Sequence, residues 1–135
     1  MEKLMALVAD YANIAEGGKI NVMGIFQTIK AKTFPVRHSQ MTLVVKLGAE
    51  LGEYGKNRKI SILLVDENGK EMLRTVGDVT VPEKGGGLRP EINLIMTFKD
   101  IIFSKPGMYD FVIMVDSDHK GSCPIEVIDV SKTEQ

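Results

Sequence analysis

Residues 91–115, EINLIMTFKDIIFSKPGMYDFVIMV, decide the fold. Ile92, Leu94, Met96 and Phe98 recur at the period of two that puts side chains on one face of a pleated strand. Tyr109, Phe111, Ile113 and Val115 repeat that period after Pro106-Gly107, a pair that turns the chain. A strand, a corner and a second strand, each with one apolar face, predict two layers closed over a shared core.

The rest of the chain extends this pattern. Leu4–Ala9 reads as a strand apolar on both faces, hence central or doubly covered. Asp10 is placed to cap a single helical turn that Gly17-Gly18 ends. Lys19–Thr28 is a second strand, where Gly24 signals a bulge or a close backbone approach. Ile29–Gln40 has no periodicity, holds Phe34-Pro35, and suits a crossing between sheets. Met41–Glu50 alternates, with Met41, Leu43, Val45, Leu47 and Ala49 inward. Beyond the Gly48–Asn57 loop, Arg58–Asp66 is a fourth strand, Asp66-Glu67-Asn68-Gly69 a hairpin turn, and Lys70–Val81 a fifth strand bent near Gly77. Pro82–Pro90 is a glycine-rich loop, Asp116-Ser117-Asp118 a turn, and His119–Val130 the last strand. Turn signals every ten residues or so predict an all-β fold, an antiparallel sandwich of about eight strands, immunoglobulin-like or jelly-roll-like. One domain is expected over residues 1–130, with 131–135 a frayed tail.

Composition narrows the function classes. The 135 residues are 44% hydrophobic and 26% charged, ordinary for a globule that builds its own core. Seventeen basic residues are scattered among 18 acidic ones for a net charge of -1, so nothing draws the chain to nucleic acid or an anionic membrane. Cys123 is the single cysteine, which rules out an intrachain disulfide and favours a reducing compartment. The short apolar run Leu4–Ala9, interrupted by Asp10, is neither a secretory signal nor a membrane span, and a cytoplasmic location is expected.

Motifs that carry chemistry are weak. Asp116-x-Asp118-x-x-Gly121 begins like a calcium loop, but Lys120 and Val127 stand where oxygen ligands belong, so a hairpin turn is the better reading. Lys84 to Arg89 and Glu16 to Lys19 lack the Gly-Lys-Ser/Thr of a phosphate loop and read as turns. His119 and Cys123, four apart in one strand, should share a face; with the distant His38 they fall short of a zinc set. Ser39 beside His38 is adjacency only, there is no nucleophile elbow, and no acidic pair is favoured as a glycosidase pair. No catalytic, cofactor-binding or metal residue is assigned, and no cofactor is expected.

Apolar residues on the second faces of strands are more informative. Leu63 and Val65 point away from Ile62 and Leu64, Ile95 away from Leu94 and Met96, and Val112 and Met114 away from Phe111 and Ile113. The outer faces of a two-layer sandwich meet water, so Leu63, Val65, Ile95, Val112 and Met114 need a cover or a partner. The eight methionines suit such adaptable contacts.

Two resemblances follow from these residues. Pro106-Gly107-Met108-Tyr109 with Phe111 and Ile113 resembles the tyrosine corner of immunoglobulin-like and fibronectin-type domains, without their tryptophan or paired cysteines. ADYANIAEGGKINVMGIFQTI (9–29), FPVRHSQMTLVVKL (34–47) and FSKPGMYDFVIMVD (103–116) together resemble a family of small, mostly single-domain bacterial proteins of unknown function, over Leu4–Val130. That resemblance implies a bacterial, stand-alone, cytoplasmic sandwich and supplies no site. The sequence therefore predicts a non-enzymatic module that self-associates or docks a protein. The alternative is a sandwich that binds a small ligand or carbohydrate through the Gly48–Asn57 and Pro82–Pro90 loops; a metal-dependent hydrolase is remote.

Overall fold

The computed structural model describes residues 1–83 and 89–131; the glycine run Gly85–Gly87 and the tail 132–135 lie outside them. Nine strands occupy these residues: β1 Glu2–Ile14, β2 Ile20–Phe26, β3 Thr28–Ala31, β4 Val36–Gly48, β5 Asn57–Val65, β6 Glu71–Thr80, β7 Glu91–Phe103, β8 Gly107–Val115 and β9 Asp118–Asp129. They form a four-stranded sheet, β2-β1-β4-β7, and a five-stranded sheet, β3-β9-β8-β5-β6. The fold is an all-β sandwich, as the alternation demands.

The predicted inward residues meet in one core. Met41, Leu43, Val45, Leu47 and Ala49 are fully buried, as are Phe111 and Ile113 opposite them. Phe98 of one sheet stacks on Phe111 of the other at 5.3 Å between ring centres. Such buried aliphatic and aromatic side chains, each contributing about 1.5–3 kcal/mol, hold the layers together. β7 crosses to the other sheet through Ser104–Pro106, and there the Tyr109 hydroxyl donates to the Lys105 carbonyl at 2.6 Å while its ring meets Phe103 edge-on. At Gly107, with φ 150°, a side chain would run into Glu67, whose Oε1 accepts the Met108 N–H.

Several local expectations change. β1 does not stop at Ala9: it continues to Ile14, so Asp10 caps nothing, and the short 3-10 turn is Glu16–Gly18. The stretch expected to be a plain connection contributes β3, which pairs with β9 in parallel, so one edge of the sandwich is not antiparallel. The crossing itself is made by residues 32–35. β6 keeps its register past Gly77, and the irregularity falls at Leu64/Val65. In β7 the inward phase shifts: Ile92 is buried at even positions, Ile101 and Phe103 at odd ones, and Asp100 takes the switch at φ 56°. Arg37 on β4 holds that Asp100 at 2.9 Å.

Candidate functional site

The five predicted contact residues fall on two opposite faces. On the five-stranded sheet Leu63 sits directly opposite Val112, Met114 opposite Ser61, and Val65 opposite Asp110. All four are half-buried. Asp110 lies among them with Oδ1 buried and lacking a hydrogen-bond partner. Burial pushes its carboxyl pKa up, against the Ser122 hydrogen bond and the charges of His119 and Lys3. Ile95 is elsewhere: it pairs with Val44 on the outer face of the four-stranded sheet.

That second face is the more apolar. Its rows, read across the strands, are Ile25–Ala9–Thr42–Thr97 and Leu7–Val44–Ile95, with Met23–Tyr11 one row further on. Ala9, Thr42 and Val44 are completely covered by their neighbours. Met23, Ile25 and Tyr11 stand proud, 64%, 61% and 48% exposed. The three rows themselves carry no charged side chain; beyond them Lys46 is paired with Glu91 at 3.4 Å, Lys99 stands opposite Gln40, and Arg37 is paired with Asp100.

Tyr11 and Met23 lie on an arm, and Ile25 stands at its root beside Ala9. The ladder from β1 to β4 ends at Ala9–Thr42, whereas that from β1 to β2 runs on to Ile14–Ile20. Residues 10–14 and 20–24 therefore pair only with each other among the described ladders. Ile14, on the arm's other side, is 51% exposed. Gly24 at φ 72° stands opposite Asp10, whose carboxylate fills the space a side chain would need. Sequence reasoning missed Tyr11 because residues 10–16 read as a helical turn, and missed Met23 and Ile25 because the faces of the predicted strand Lys19–Thr28 were not told apart. The alternation Ala9, Tyr11, Asn13, a direct continuation of Leu7, carried the signal.

Groups suited to catalysis are dispersed or engaged. Asp116 and Ser117, at φ 49° and 71°, make the two-residue turn between β8 and β9. Asp116 accepts the Lys59 N–H at 2.9 Å and an Arg58 N–H at 3.3 Å, so a guanidinium sits where a calcium ion would have to. His119 pairs with Met114 and faces out, while Cys123 pairs with Phe111 and faces in. The register break at Ile113/Met114 reverses the side expected for His119, and the supposed pair is split across the sheet. Among the described residues no group of three His, Cys, Asp or Glu could hold a metal. No helix there is long and apolar enough to cross a membrane.

Glu53 anchors the end of the sandwich near the β8–β9 turn. It accepts the Glu50 N–H at 3.0 Å in a capping box and bonds Arg58 at 3.0 Å and the Met1 amine at 3.0 Å. Burial alone would raise its carboxyl, but these donors outweigh burial and hold it at about 2.

One side of the sandwich, between β6 and β7, is open. A cleft of about 480 Å³ lies there between Asp66, Lys70, Glu71, Lys99, Asp100 and Tyr109. Its carboxylates are occupied: Asp66 accepts the Asn68 and Lys70 amides, Glu71 is held by Arg74, and Asp100 by Arg37. Burial, with Asp66 and Glu67 adding to it, keeps the Tyr109 hydroxyl protonated above its usual range.

A comparison with curated proteins finds no match. A family of unknown function matches residues 4–128, all nine strands but their extreme ends, and the chain belongs to that family, DUF6941.

Proposed function

We propose that the protein is a non-enzymatic interaction module, working by contact through the outer face of its four-stranded sheet. The exposed cluster Tyr11, Met23 and Ile25, continuous with Ala9 and the Leu7–Val44–Ile95 row, carries this reading. The largest contiguous apolar patch on a solvent-facing surface is often functional, a place where another surface sits. The half-buried Leu63, Val65, Val112 and Met114 form a flatter secondary face. The test is a benzophenone amino acid in place of Met23 in the full chain, irradiated in cells, with the same residue in place of Glu126 as control. A discrete protein adduct from position 23 and none from 126 supports the reading; no adduct from 23 removes it.

A second reading, binding of a small polar ligand in the β6–β7 cleft, is favoured by its size, within the range of ligand pockets. A thermal-shift screen of sugars and small acids tests it, since any bound ligand raises the melting temperature by mass action.

A further inference from the structure

We infer that the open side of the sandwich takes a single-chain amphiphile with an anionic head, its alkyl tail between the sheets and its head on Lys70 and Lys99. This rests on the second reading above, that the β6–β7 cleft holds a small ligand, and adds the tail and the sign of the head. β6 and β7 are the edge strands of their sheets on this side. Their inward residues, Leu73 and Val79 on β6 and Leu94, Met96 and Phe98 on β7, pack on the core but stay half-buried. The inward residues of β4 and β5, one strand further in, are almost wholly buried. The core therefore reaches water along one seam.

That seam contains a gap. Sheets stack about 10 Å apart, so side chains from both must meet to fill the space between them. Gly77, opposite the inward Ile60, supplies none, and Thr75, opposite Ile62, supplies a short one. Beyond its chain neighbours, no atom lies within 4 Å of where a Gly77 Cβ would stand. The result is a slot of about 230 Å³ with nearly all-apolar walls, Ile60, Ile62, Leu94 and Met96 among them. It has less volume than one turn of a helix about 10 Å across, and suits a single alkyl chain. Leu73, two residues before Thr75 on the same face of β6, lines the polar cleft, so slot and cleft are neighbours along the seam.

Charge fixes the head. Of the cleft's carboxylates, Glu71 is held by Arg74 and Asp100 by Arg37, and Asp66 accepts two backbone amides. The exposed ammonium groups of Lys70 and Lys99 are in no ion pair among the described residues, which favours an anion between them. Asp78, the charged residue that lines the slot, lies on β6 beyond Gly77 and away from these lysines, so the anionic head belongs at the cleft end.

The closing experiment is calorimetric titration and thermal melting of the full chain with submicellar dodecanoate, dodecyltrimethylammonium or succinate. Dodecanoate should bind one to one and raise the melting temperature, and the cationic amphiphile should bind at least ~tenfold more weakly. Gly77→Leu enters empty space at a residue outside the left-handed region; it should raise the melting temperature of the ligand-free chain and weaken dodecanoate at least ~tenfold. Lys99→Glu should weaken dodecanoate by ~threefold or more, as the loss of an exposed ion pair does. Where Gly77→Leu does not fold, Thr75→Leu fills the same slot. Dodecanoate bound as tightly by the folded slot-filled variant, or by Lys99→Glu, or no tighter than its cationic counterpart, overturns the inference. Succinate binding without dodecanoate binding sinks the tail and leaves the cleft reading standing; binding of neither sinks both.

Discussion

Two hairpins built on the same local rules meet opposite fates. β8–β9 turns in two residues, Asp116 and Ser117, and every link ties it inward. Its alternate residues Phe111, Ile113, Ile125 and Val127 are buried, its turn carboxylate is bonded to β5, and Tyr109 is pinned at its far end. β1–β2 begins as securely, with Val8 in the core, but beyond Ala9 it has lost β4 and presents Tyr11, Ile14 and Met23 to solvent, with Ile25 exposed on the edge strand beside Ala9. Apolar residues in alternation thus mean core where a facing sheet lies beneath them and an exposed surface where it does not. The pattern alone does not distinguish the two; the length of the neighbouring ladder does.

The largest test of this contrast is truncation. Phe111→Ala should destabilise the fold by about 3–5 kcal/mol in chemical denaturation, since a fully buried ring leaves a cavity between the sheets. Met23→Ala on the arm should cost the isolated chain under about 0.5 kcal/mol. Equal losses at both sites would erase the distinction.

Acid should act on the β8–β9 end. Glu53 is held at about 2, below the ordinary 4.5 it regains on unfolding. Its contribution, on the order of 2 kcal/mol, is therefore complete above pH 4.5 and lost as pH falls toward 2. Denaturation midpoints for the wild type and Glu53→Gln should differ at pH 7 and converge near pH 2; a constant gap would show that Glu53 acts by shape and not by charge.

A smaller effect is expected at the corner. Tyr109→Phe removes the hydroxyl that the Lys105 carbonyl accepts and should cost about 1 kcal/mol, with the ring packing on Phe103 kept. The smallest belongs to the other outer face: Val112→Thr, half-buried opposite Leu63, should change stability by no more than about 1 kcal/mol and leave the photo-adduct from position 23 unaltered. A loss of that adduct would transfer the proposed contact surface to the five-stranded sheet.

What the sequence disclosed follows the same line. β4, β8 and the first half of β7 were legible because one partner sheet reads every second side chain, and the corner because Pro106-Gly107 and Tyr109 act within a few residues. β3 was not legible: its four residues are a strand through the parallel neighbour β9, nearly a hundred positions away. The phase change at Asp100 and the reversal of His119 likewise depend on cross-strand register, to which composition and period are blind. For the candidate face, Ile95 was legible as a second-face residue, while Tyr11 was hidden by a capping signal at Asp10 that a continuing strand overrode, and Met23 and Ile25, though read in a strand, had no register to say which face they share.

Gly24 bears on how far assembly can run. β2 is an outer edge of its sheet, and a long straight edge beside exposed methionine and isoleucine would template strand after strand into fibres. Gly24, left-handed in the middle of β2, departs from the extended conformation that a regular edge pleat requires. An edge so interrupted resists growth by strand addition, whatever the face of the sheet meets.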